Sequence, residues 1–208
     1  MKRHELVDEI RFINACKSYG DKIIFKDLNL NFEKNKITAI LAPSGYGKTT
    51  LLNIIAGLDK LDSGNFIMKS QNISYMFQED RLLPWLTVYE NIAFVLKSNT
   101  FKCEMESIIN KYLDLVKLKE YKYYTLDKLS GGMKRRVALA RAFAYKSEVL
   151  IMDEPFKGID LALKKEIISI FLKLWERDKK TVIVVTHDVN EAKLLAHNTY
   201  FLEKYNRL

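Results

Sequence analysis

A strand, a glycine-bearing loop and the start of a helix follow one another over residues 37–52, ITAILAPSGYGKTTLL. Glycine accepts backbone angles that a Cβ would forbid, so successive N–H groups of the loop can turn inward as a cradle. The helix that follows adds its unpaired N–H groups, which favour a bound phosphate. The stretch therefore predicts a nucleoside triphosphate site on an α/β fold.

The contacts of this loop with a nucleotide are assigned from its spacing. Lys48 is expected to bridge the β- and γ-phosphates, and Thr49 to offer its hydroxyl to Mg²⁺. The first glycine of the G-x-x-x-x-G-K-[ST] pattern is replaced by Ala42 at the strand end, where we expect a methyl group to be tolerated. The alternative is a chance match in an ordinary strand, turn and helix. The loop residues expected at the nucleotide are Pro43, Ser44, Gly45, Tyr46, Gly47, Lys48, Thr49 and Thr50.

Two acids end a second apolar strand, in EVLIMDEP at residues 148–155. Ligands of open α/β sheets bind at the carboxyl ends of the strands, so Asp153 is expected to face the phosphate loop and to hold Mg²⁺, directly or through water. Glu154 is placed to orient or deprotonate the attacking water of a hydrolysis. Solvated acids at a strand end are the alternative interpretation.

A histidine ends a third apolar strand, in TVIVVTHD at residues 181–188. We expect His187 to reach a γ-phosphate oxygen and to fix the water. A lone histidine at a strand end is more often structural, but its position parallels that of Asp153 and favours a functional role.

Hydrophobic patterning describes the rest of the chain. Short β-like runs fill residues 1–40, and further strands are predicted at 72–77, 148–153, 181–187 and 199–204. Apolar residues recur at three- and four-residue spacing from about 87 to 145, which predicts helix throughout that stretch. Strands that are continuously rich in Val and Ile indicate a parallel sheet covered on both faces. We therefore predict an α/β core with a helical insertion.

Length and composition set the broad class. A chain of 208 residues fits one domain, and 48% hydrophobic with 29% charged residues is typical of a soluble globular protein. The longest apolar runs fall far below the ~20 residues of a membrane span. The net charge of +8 allows nucleic acid or anionic lipid as a partner, but scattered lysines favour a solvated surface. Cys16 and Cys103 stand alone, which favours a reducing compartment without disulfides.

A helix opens with Ser-Gly-Gly in LSGGMKRRVALARA, residues 129–142, and its first turn carries three cations. The amino end of a helix is already partially positive, so Lys134, Arg135 and Arg136 are disfavoured there unless an anion binds. A solvated face is the simpler explanation for at least one of the three, because the apolar residues of the helix must take its buried side.

With these motifs in this order, the chain resembles the ATP-binding-cassette ATPases over nearly its whole length. LSGGM at residues 129–133 stands where that family has its LSGGQ signature, and 149–154 match its Walker B strand and catalytic glutamate. The other matching elements are the adenine-stacking aromatic (Tyr19), the Q-loop glutamine (Gln78), the D-loop aspartate (Asp160) and the switch histidine (His187).

The resemblance implies a P-loop NTPase (RecA-like) core with a small antiparallel β subdomain and an inserted α-helical subdomain at about residues 87–145. The whole chain, residues 1–208, would form one nucleotide-binding domain. ATP and Mg²⁺ are the implied ligands, with catalysis by Lys48, Glu154 and His187. The implied magnesium ligands are Thr49, Gln78 and Asp153.

The resemblance also implies a homodimer that holds ATP head to tail between its two copies. Ser130 would cap its helix while its hydroxyl, with the N–H groups of Gly131 and Gly132, points at the partner copy's γ-phosphate. The cationic first turn would then meet an anion. The resemblance also implies that Asp160 is among the residues that bind the nucleotide.

The implied partners are integral membrane permease subunits that dock near Gln78–Leu86, and indirectly an external solute-binding protein. The motif sequences are most similar to those of importers of the nitrate/sulfonate/taurine type. We therefore expect a cytoplasmic protein that lies peripherally on the inner face of the membrane. Plain core packing is the alternative for Trp85 in the docking stretch.

Non-transport cassette ATPases, acting on nucleic acid or the ribosome or in cofactor assembly, are the rival class. Those that act on nucleic acid or the ribosome usually carry two cassettes or a long coiled-coil insertion, whereas Lys48 and Ser130 are only 82 residues apart. We therefore expect no nucleic acid partner. A P-loop kinase is disfavoured because it would leave the signature helix unexplained.

Overall fold

The structure is a computed structural model that describes residues 8–43, 45–97 and 100–202. The strands are β1 (Asp8–Tyr19), β2 (Lys22–Glu33), β3 (Ile37–Leu41), β4 (Ser63–Met68), β5 (Ile73–Met76), β6 (Val149–Asp153), β7 (Thr181–Thr186) and β8 (Asn198–Phe201). The α-helices are α1 (Lys48–Ile55), α2 (Val88–Leu96), α3 (Lys102–Leu115), α4 (Gly131–Ala144), α5 (Leu161–Arg177) and α6 (Val189–Leu195). Short 3₁₀ helices span Lys119–Tyr121 and Leu126–Lys128.

The chain divides into two compact units. The first contains the described parts of 1–75, 148–155 and 180–208, and the second contains those of 76–147 and 156–179. The predicted helical subdomain, about 87–145, lies within the second unit, which also includes α5.

Two sheets form the first unit. A three-stranded antiparallel sheet has the order β2-β1-β4, and a five-stranded sheet has the order β5-β6-β7-β3-β8. Strands β6, β7, β3 and β8 pair in parallel, so their carboxyl ends meet at one edge. The predicted α/β fold with a parallel sheet and an antiparallel β part is confirmed.

Helices cover both faces of the parallel sheet at β3, as its apolar sequence predicts. Ile40 packs in one cluster with Leu51 and Leu52 of α1, while Ala39 and Leu41 pack with Ala192 of α6. Because successive side chains of a strand point to opposite faces, β3 carries apolar residues on both faces, with Thr38 as its one polar residue. All of β3 and β7 is buried, and this fixes the strand ends that carry the predicted site.

The second unit is a packed set of helices. Helix α4 contacts α2, α3 and α5, and the rings of Phe143 and Phe171 lie 5.8 Å apart between α4 and α5. The prediction of helix throughout 87–145 is wrong between α3 and α4, where the regular elements are the two 3₁₀ helices. Lys117 takes a left-handed conformation with φ of 58°, just after α3 ends. Thr87 begins α2 with a capping box shared with Glu90.

The longest helix in the described part of the chain is α5, with 17 residues. Its sequence, LALKKEIISIFLKLWER, carries charged residues throughout. Within residues 8–43, 45–97 and 100–202, none of the helices has the length and apolar character that crossing a membrane requires.

Candidate nucleotide-binding and catalytic site

The phosphate loop, residues 42–49, turns sharply between β3 and α1. Gly45 and Gly47 have φ of 84° and 82°, angles that L residues rarely adopt. A Cβ on Gly47 would also lie 2.5 Å from Cγ2 of Ile24, so the loop closes against β2. Among the described residues no side chain caps α1 and no acid lies in its first turn, which leaves an electropositive helix end suited to an anion. Ser44 lies outside the described residues.

The alanine that departs from the pattern has a clear place in the structure. Ala42 is buried, and its φ is not among the positive values of the described residues. Its N–H donates to the carbonyl of Thr186 at 3.4 Å, and its carbonyl accepts from Nζ of Lys48 at 2.8 Å. Position 42 therefore requires neither the conformational freedom nor the small size of glycine.

Three predicted catalytic side chains meet at the carboxyl edge of the parallel sheet. Nζ of Lys48 donates to Oε1 of Glu154 at 2.7 Å, and Nδ1 of His187 lies 2.5 Å from Oε2 of the same carboxylate. The Lys48 and Glu154 side chains are only 9% and 7% exposed, whereas that of His187 is 55% exposed. These residues follow β3, β6 and β7, so the parallel pairing of the strands brings them together.

The environment of Glu154 keeps it ionised. Burial alone would raise the pKa of its carboxyl, but the hydrogen bonds and charges of Lys48 and His187 outweigh burial and hold the pKa below its ordinary value. An ionised carboxylate only accepts hydrogen bonds, so Nδ1 of His187 carries the proton in this pair. The backbone of Glu154 has φ of 46°, a strained conformation of the kind that clusters at functional sites.

The remaining site residues divide between the two units. Tyr19 ends β1 in the first unit and is 49% exposed, and Pro43, Tyr46, Thr49 and Thr50 belong to the phosphate loop or α1 of that unit. The predicted site residues of the second unit are Gln78, Ser130, Gly131, Gly132 and Asp160. Their contacts with a nucleotide stay predictions.

Two of these residues begin helices. Oγ of Ser130 accepts from the N–H of Met133 at 3.3 Å and caps α4, as the sequence predicts. Asp160 caps α5 in the same way, because its Oδ1 accepts from the N–H groups of Ala162 and Leu163. Both side chains thus fix the start of a helix in the second unit.

The cations after the signature are mostly engaged inside the second unit. Arg135 is buried, and its guanidinium donates to the carbonyls of Phe77 and Gln78 and to Oδ1 of Asp80 at 2.6 Å. Arg136 donates to the carbonyl of Val116 at 3.3 Å. Of the three cations, Lys134 is therefore the one for which contact with an anion of the partner copy stays a prediction.

Sequence reasoning grouped Arg135 with Lys134 and Arg136, as cations that meet a partner's anion or form a solvated face, and it missed the buried contacts of Arg135, although a signal was present. Position 135 lies four residues before the fully buried Leu139, so the two share a face of α4. The helical spacing alone therefore places a charged side chain on the buried side. Its planar fork suits a cluster of backbone carbonyls, and here it holds the backbone of the predicted Q-loop glutamine, Gln78.

The two signature glycines differ in their surroundings. A Cβ on Gly132 would lie 2.7 Å from Cδ2 of Leu163 in α5, whereas a Cβ on Gly131 would meet no described atom within 4 Å. Glycine at position 132 therefore permits close packing of α4 on α5. Within the described chain, no contact requires glycine at position 131.

We expect Gly132→Ala to be less stable than Gly131→Ala by about 1 kcal/mol, because both gain helix propensity but only the first overpacks. Urea unfolding of the two variants measures the difference. In a Leu163→Ala background the difference should vanish. A difference that persists there would contradict the steric explanation.

The residue types fit a magnesium ion. Mg²⁺ prefers hard oxygen ligands and is usually held by one or two carboxylates together with substrate phosphates. Thr49 presents a hydroxyl in the first turn of α1, and Asp153 a carboxylate at the end of β6 in the same unit. Gln78, the third predicted ligand, belongs to the second unit.

Comparisons with known proteins place these observations in a family. The family model described as ABC transporter matches residues 25–157. The Fe(3+) ions import ATP-binding protein FbpC of Fusobacterium nucleatum is 40% identical over 88% of this chain, and the nitrate import ATP-binding protein NrtD of Synechococcus elongatus is 37% identical over 85%. The chain spans 52% of the length of FbpC and 68% of that of NrtD. Other relatives are named for import of taurine, spermidine/putrescine and aliphatic sulfonates, at 36–38% identity.

Solved structures give the same result. CbiO1 of Clostridium perfringens, described as part of the ABC transporter complex cbiONQ, has a TM-score of 0.88 at 25% identity, over 95% of this chain and 85% of that one. MJ0796, a bacterial ABC transporter cassette solved as a dimer, has a TM-score of 0.77 at 30% identity, over 96% of this chain and 100% of that one.

Proposed function

Because this chain belongs to the ABC transporter family, whose ATP-binding subunits are ATPases, we propose that it is the ATP-hydrolysing motor subunit of an importer. The cluster of Lys48, Glu154 and His187 carries this proposal. It combines a phosphate-binding cation with an ionised carboxylate and a protonated imidazole nitrogen at one sheet edge. Hydrolysis of a phosphoanhydride needs groups of these kinds.

The lowered pKa of Glu154 defines its part in the reaction. A carboxylate that is ionised at neutral pH accepts a hydrogen bond from the attacking water, and each of its oxygens keeps a lone pair beside the bonds to Lys48 and His187. A low pKa makes it a weak base, so Glu154 mainly orients the water. When the exposed His187 ring carries a proton on both nitrogens, Nδ1 donates to Glu154 and Nε2 can donate to a γ-phosphate oxygen.

Lys48 supplies positive charge to the phosphates. Its ammonium has three donors, of which two reach the carbonyl of Ala42 and Glu154. A third donor is available to a phosphate oxygen. The unpaired N–H groups at the start of α1 are further donors to the phosphates. Thr49 and Asp153 would hold Mg²⁺, with Gln78 as a further proposed ligand, and the bound ion would supply positive charge to the phosphates.

We place the second half of the ATP site on another copy of the chain, where Ser130, Gly131 and Gly132 would face the γ-phosphate. An open position at Gly131 supports a close approach from outside the chain. The dimeric cassette MJ0796 supports pairing of two copies. An isolated copy would then hydrolyse ATP slowly.

The stretch Gln78–Leu86, here called the docking segment, is the proposed site for a membrane permease. Trp85 is 73% exposed, so the alternative of core packing does not describe it. The segment's backbone is nevertheless held firmly, because the fully buried amide of Asn91 bonds both the N–H and the carbonyl of Leu83 and the carbonyl of Leu86. An exposed aromatic on a fixed backbone is suited to binding a partner.

The transported solute is proposed only as a class. The motifs are most similar to nitrate, sulfonate and taurine importers, and relatives named for those imports support this subfamily. Relatives named for iron and polyamine import are as similar in sequence. We propose a small solute, delivered by an external binding protein to permease subunits, with this chain on the cytoplasmic face of the membrane.

Affinity purification of the full chain from membranes of its source tests the importer assignment. We expect a permease with several membrane spans in the eluate, identified by mass spectrometry. Trp85→Glu should lose the permease but bind ATP as the wild type does, because the substitution changes only an exposed side chain. Ribosomal RNA or DNA in place of a permease would support the rival class.

A further inference from the structure

A charged cluster surrounds the end of β1, next to the predicted base-stacking ring. Nζ of the buried Lys17 donates to Oδ1 of Asp59 and to the carbonyl of Lys60, both at 2.8 Å, and lies 3.4 Å from Oδ1 of Asp62. The hydroxyl of Tyr19 donates to the other oxygen of Asp59, Oδ2. One carboxylate therefore joins a buried cation to the edge of an exposed aromatic ring.

Asp59 and Lys17 stabilise each other's charged forms. Hydrogen bonds from Lys17, Tyr19 and the Lys60 backbone lower the pKa of Asp59 to about 2. The hydrogen bond to Asp59 in turn raises the pKa of Lys17. Nζ of Lys17 also lies 5.0 Å from the centre of the Tyr19 ring, a cation–π distance. The ring is thus held both at its hydroxyl and at its face.

Asp59 is itself fixed to the phosphate-binding helix. The chain turns at Gly57, with φ of 73°, directly after α1. The N–H groups of Leu58 and Asp59 then donate to the carbonyl of Asn53 at 2.8 and 3.3 Å. Because α1 begins at Lys48, one short helix connects the phosphate-binding lysine to the carboxylate that holds Tyr19.

We propose that Asp59 is a positioning residue that fixes the Tyr19 ring as the platform for the nucleotide base, and so sets base affinity separately from phosphate affinity. The inference rests on the proposed function, since it needs ATP at the phosphate loop and its base on Tyr19. Asp59 touches neither the base nor the phosphates in this account. It acts through the ring alone, and Lys17 acts through Asp59.

Binding of ATP and of inorganic tripolyphosphate, which lacks the base, separates positioning from a general structural role. We expect Asp59→Ala to weaken ATP binding about tenfold in calorimetry, because a stacked base contributes that much to affinity. Tripolyphosphate affinity should change less than about twofold, since the stacking term is absent from it. Tyr19→Leu should likewise weaken ATP binding and leave tripolyphosphate binding nearly unchanged. Adding Asp59→Ala to Tyr19→Leu should have no further effect on either affinity.

Two further variants distinguish a change in ring position from a change in folding. Tyr19→Phe removes only the exposed hydroxyl that bonds Asp59, and it should weaken ATP but not tripolyphosphate binding. Asp62→Asn is the matched control, because Asp62 contacts Lys17 and the Ser18 N–H but not Tyr19, and it should bind both ligands as the wild type does.

The outcomes that would overturn the inference are distinct. Equal losses for ATP and tripolyphosphate in Asp59→Ala would show a structural role for the α1 end, and no loss for either would show no role. Additive losses in the double variant would place Asp59 and Tyr19 in separate interactions. A wild-type chain that binds neither ligand would contradict the proposed function itself.

Discussion

Replacing Glu154 by Gln is expected to lower ATP turnover on the order of 10²- to 10⁴-fold, the range typical of a lost catalytic acid–base group. The substitution keeps the volume of the side chain but removes the charge that orients water between Lys48 and His187. ATP should still bind, so the ATP-bound dimer should accumulate. Steady-state hydrolysis measures the rate, and size-exclusion chromatography with ATP measures the dimer.

Glu148→Gln is the matched control for this variant. Glu148 is exposed and precedes β6, at the opposite end of the same strand from Glu154. Its substitution should leave hydrolysis unchanged. A Glu154→Gln protein that stays monomeric and hydrolyses ATP at the wild-type rate would show that our assignment of Glu154 is wrong.

Ser130→Arg is expected to abolish ATP turnover while the lone chain keeps nearly its full ATP affinity. An arginine at the start of α4 would occupy the space that the partner copy's γ-phosphate requires. It would also put another cation at an end of α4 that is already positive. Hydrolysis assays measure turnover, and calorimetry at a concentration where the chain is monomeric measures ATP affinity.

Ser130→Ala separates the cap from the proposed contact in trans. Loss of the hydroxyl removes the bond to the Met133 N–H, at a cost to stability of about 1 kcal/mol, without adding bulk. We expect it to reduce turnover far less than Ser130→Arg does. If Ser130→Arg weakens ATP binding in the lone monomer, the signature serine contacts the nucleotide of its own chain, against our proposal.

The strands that carry the site could be predicted because their sequences are continuously apolar. β3, β6 and β7 are buried along nearly their whole length, and this pattern is typical of a parallel sheet. The motifs at their ends then identified the ATP-binding-cassette family, which is confirmed. Order along the chain, together with parallel pairing, was sufficient to predict which residues share the sheet edge.

β4 was not predicted, because its sequence has no strand pattern of its own. SGNFIM is mostly exposed and forms a strand through its pairing with β1, where a Cβ on Gly64 would lie 2.3 Å from the carbonyl oxygen of Asn14. Such a contact depends on a distant part of the chain. No local window of sequence contains it.

The hydrogen bonds of the site were also beyond local sequence reasoning. Lys48 and Glu154 are 106 residues apart, so their pairing follows from the strand order. The same holds for Arg135, whose bonds reach back 57 and 58 residues to the carbonyls of Gln78 and Phe77 and 55 residues to the carboxylate of Asp80. Spacing identified the residue types of the site, while tertiary packing determined their partners.

Mixing two inactive variants tests the shared ATP site most directly. In a mixed dimer of Glu154→Gln and Ser130→Arg copies, one site would combine an intact Glu154 with an intact Ser130 from the other copy. We predict that each variant alone is inactive and that an equal mixture recovers activity, up to about a quarter of the wild-type rate if copies pair at random, because each mixed dimer has one intact site of two. A mixture that stays as inactive as its components would contradict the account.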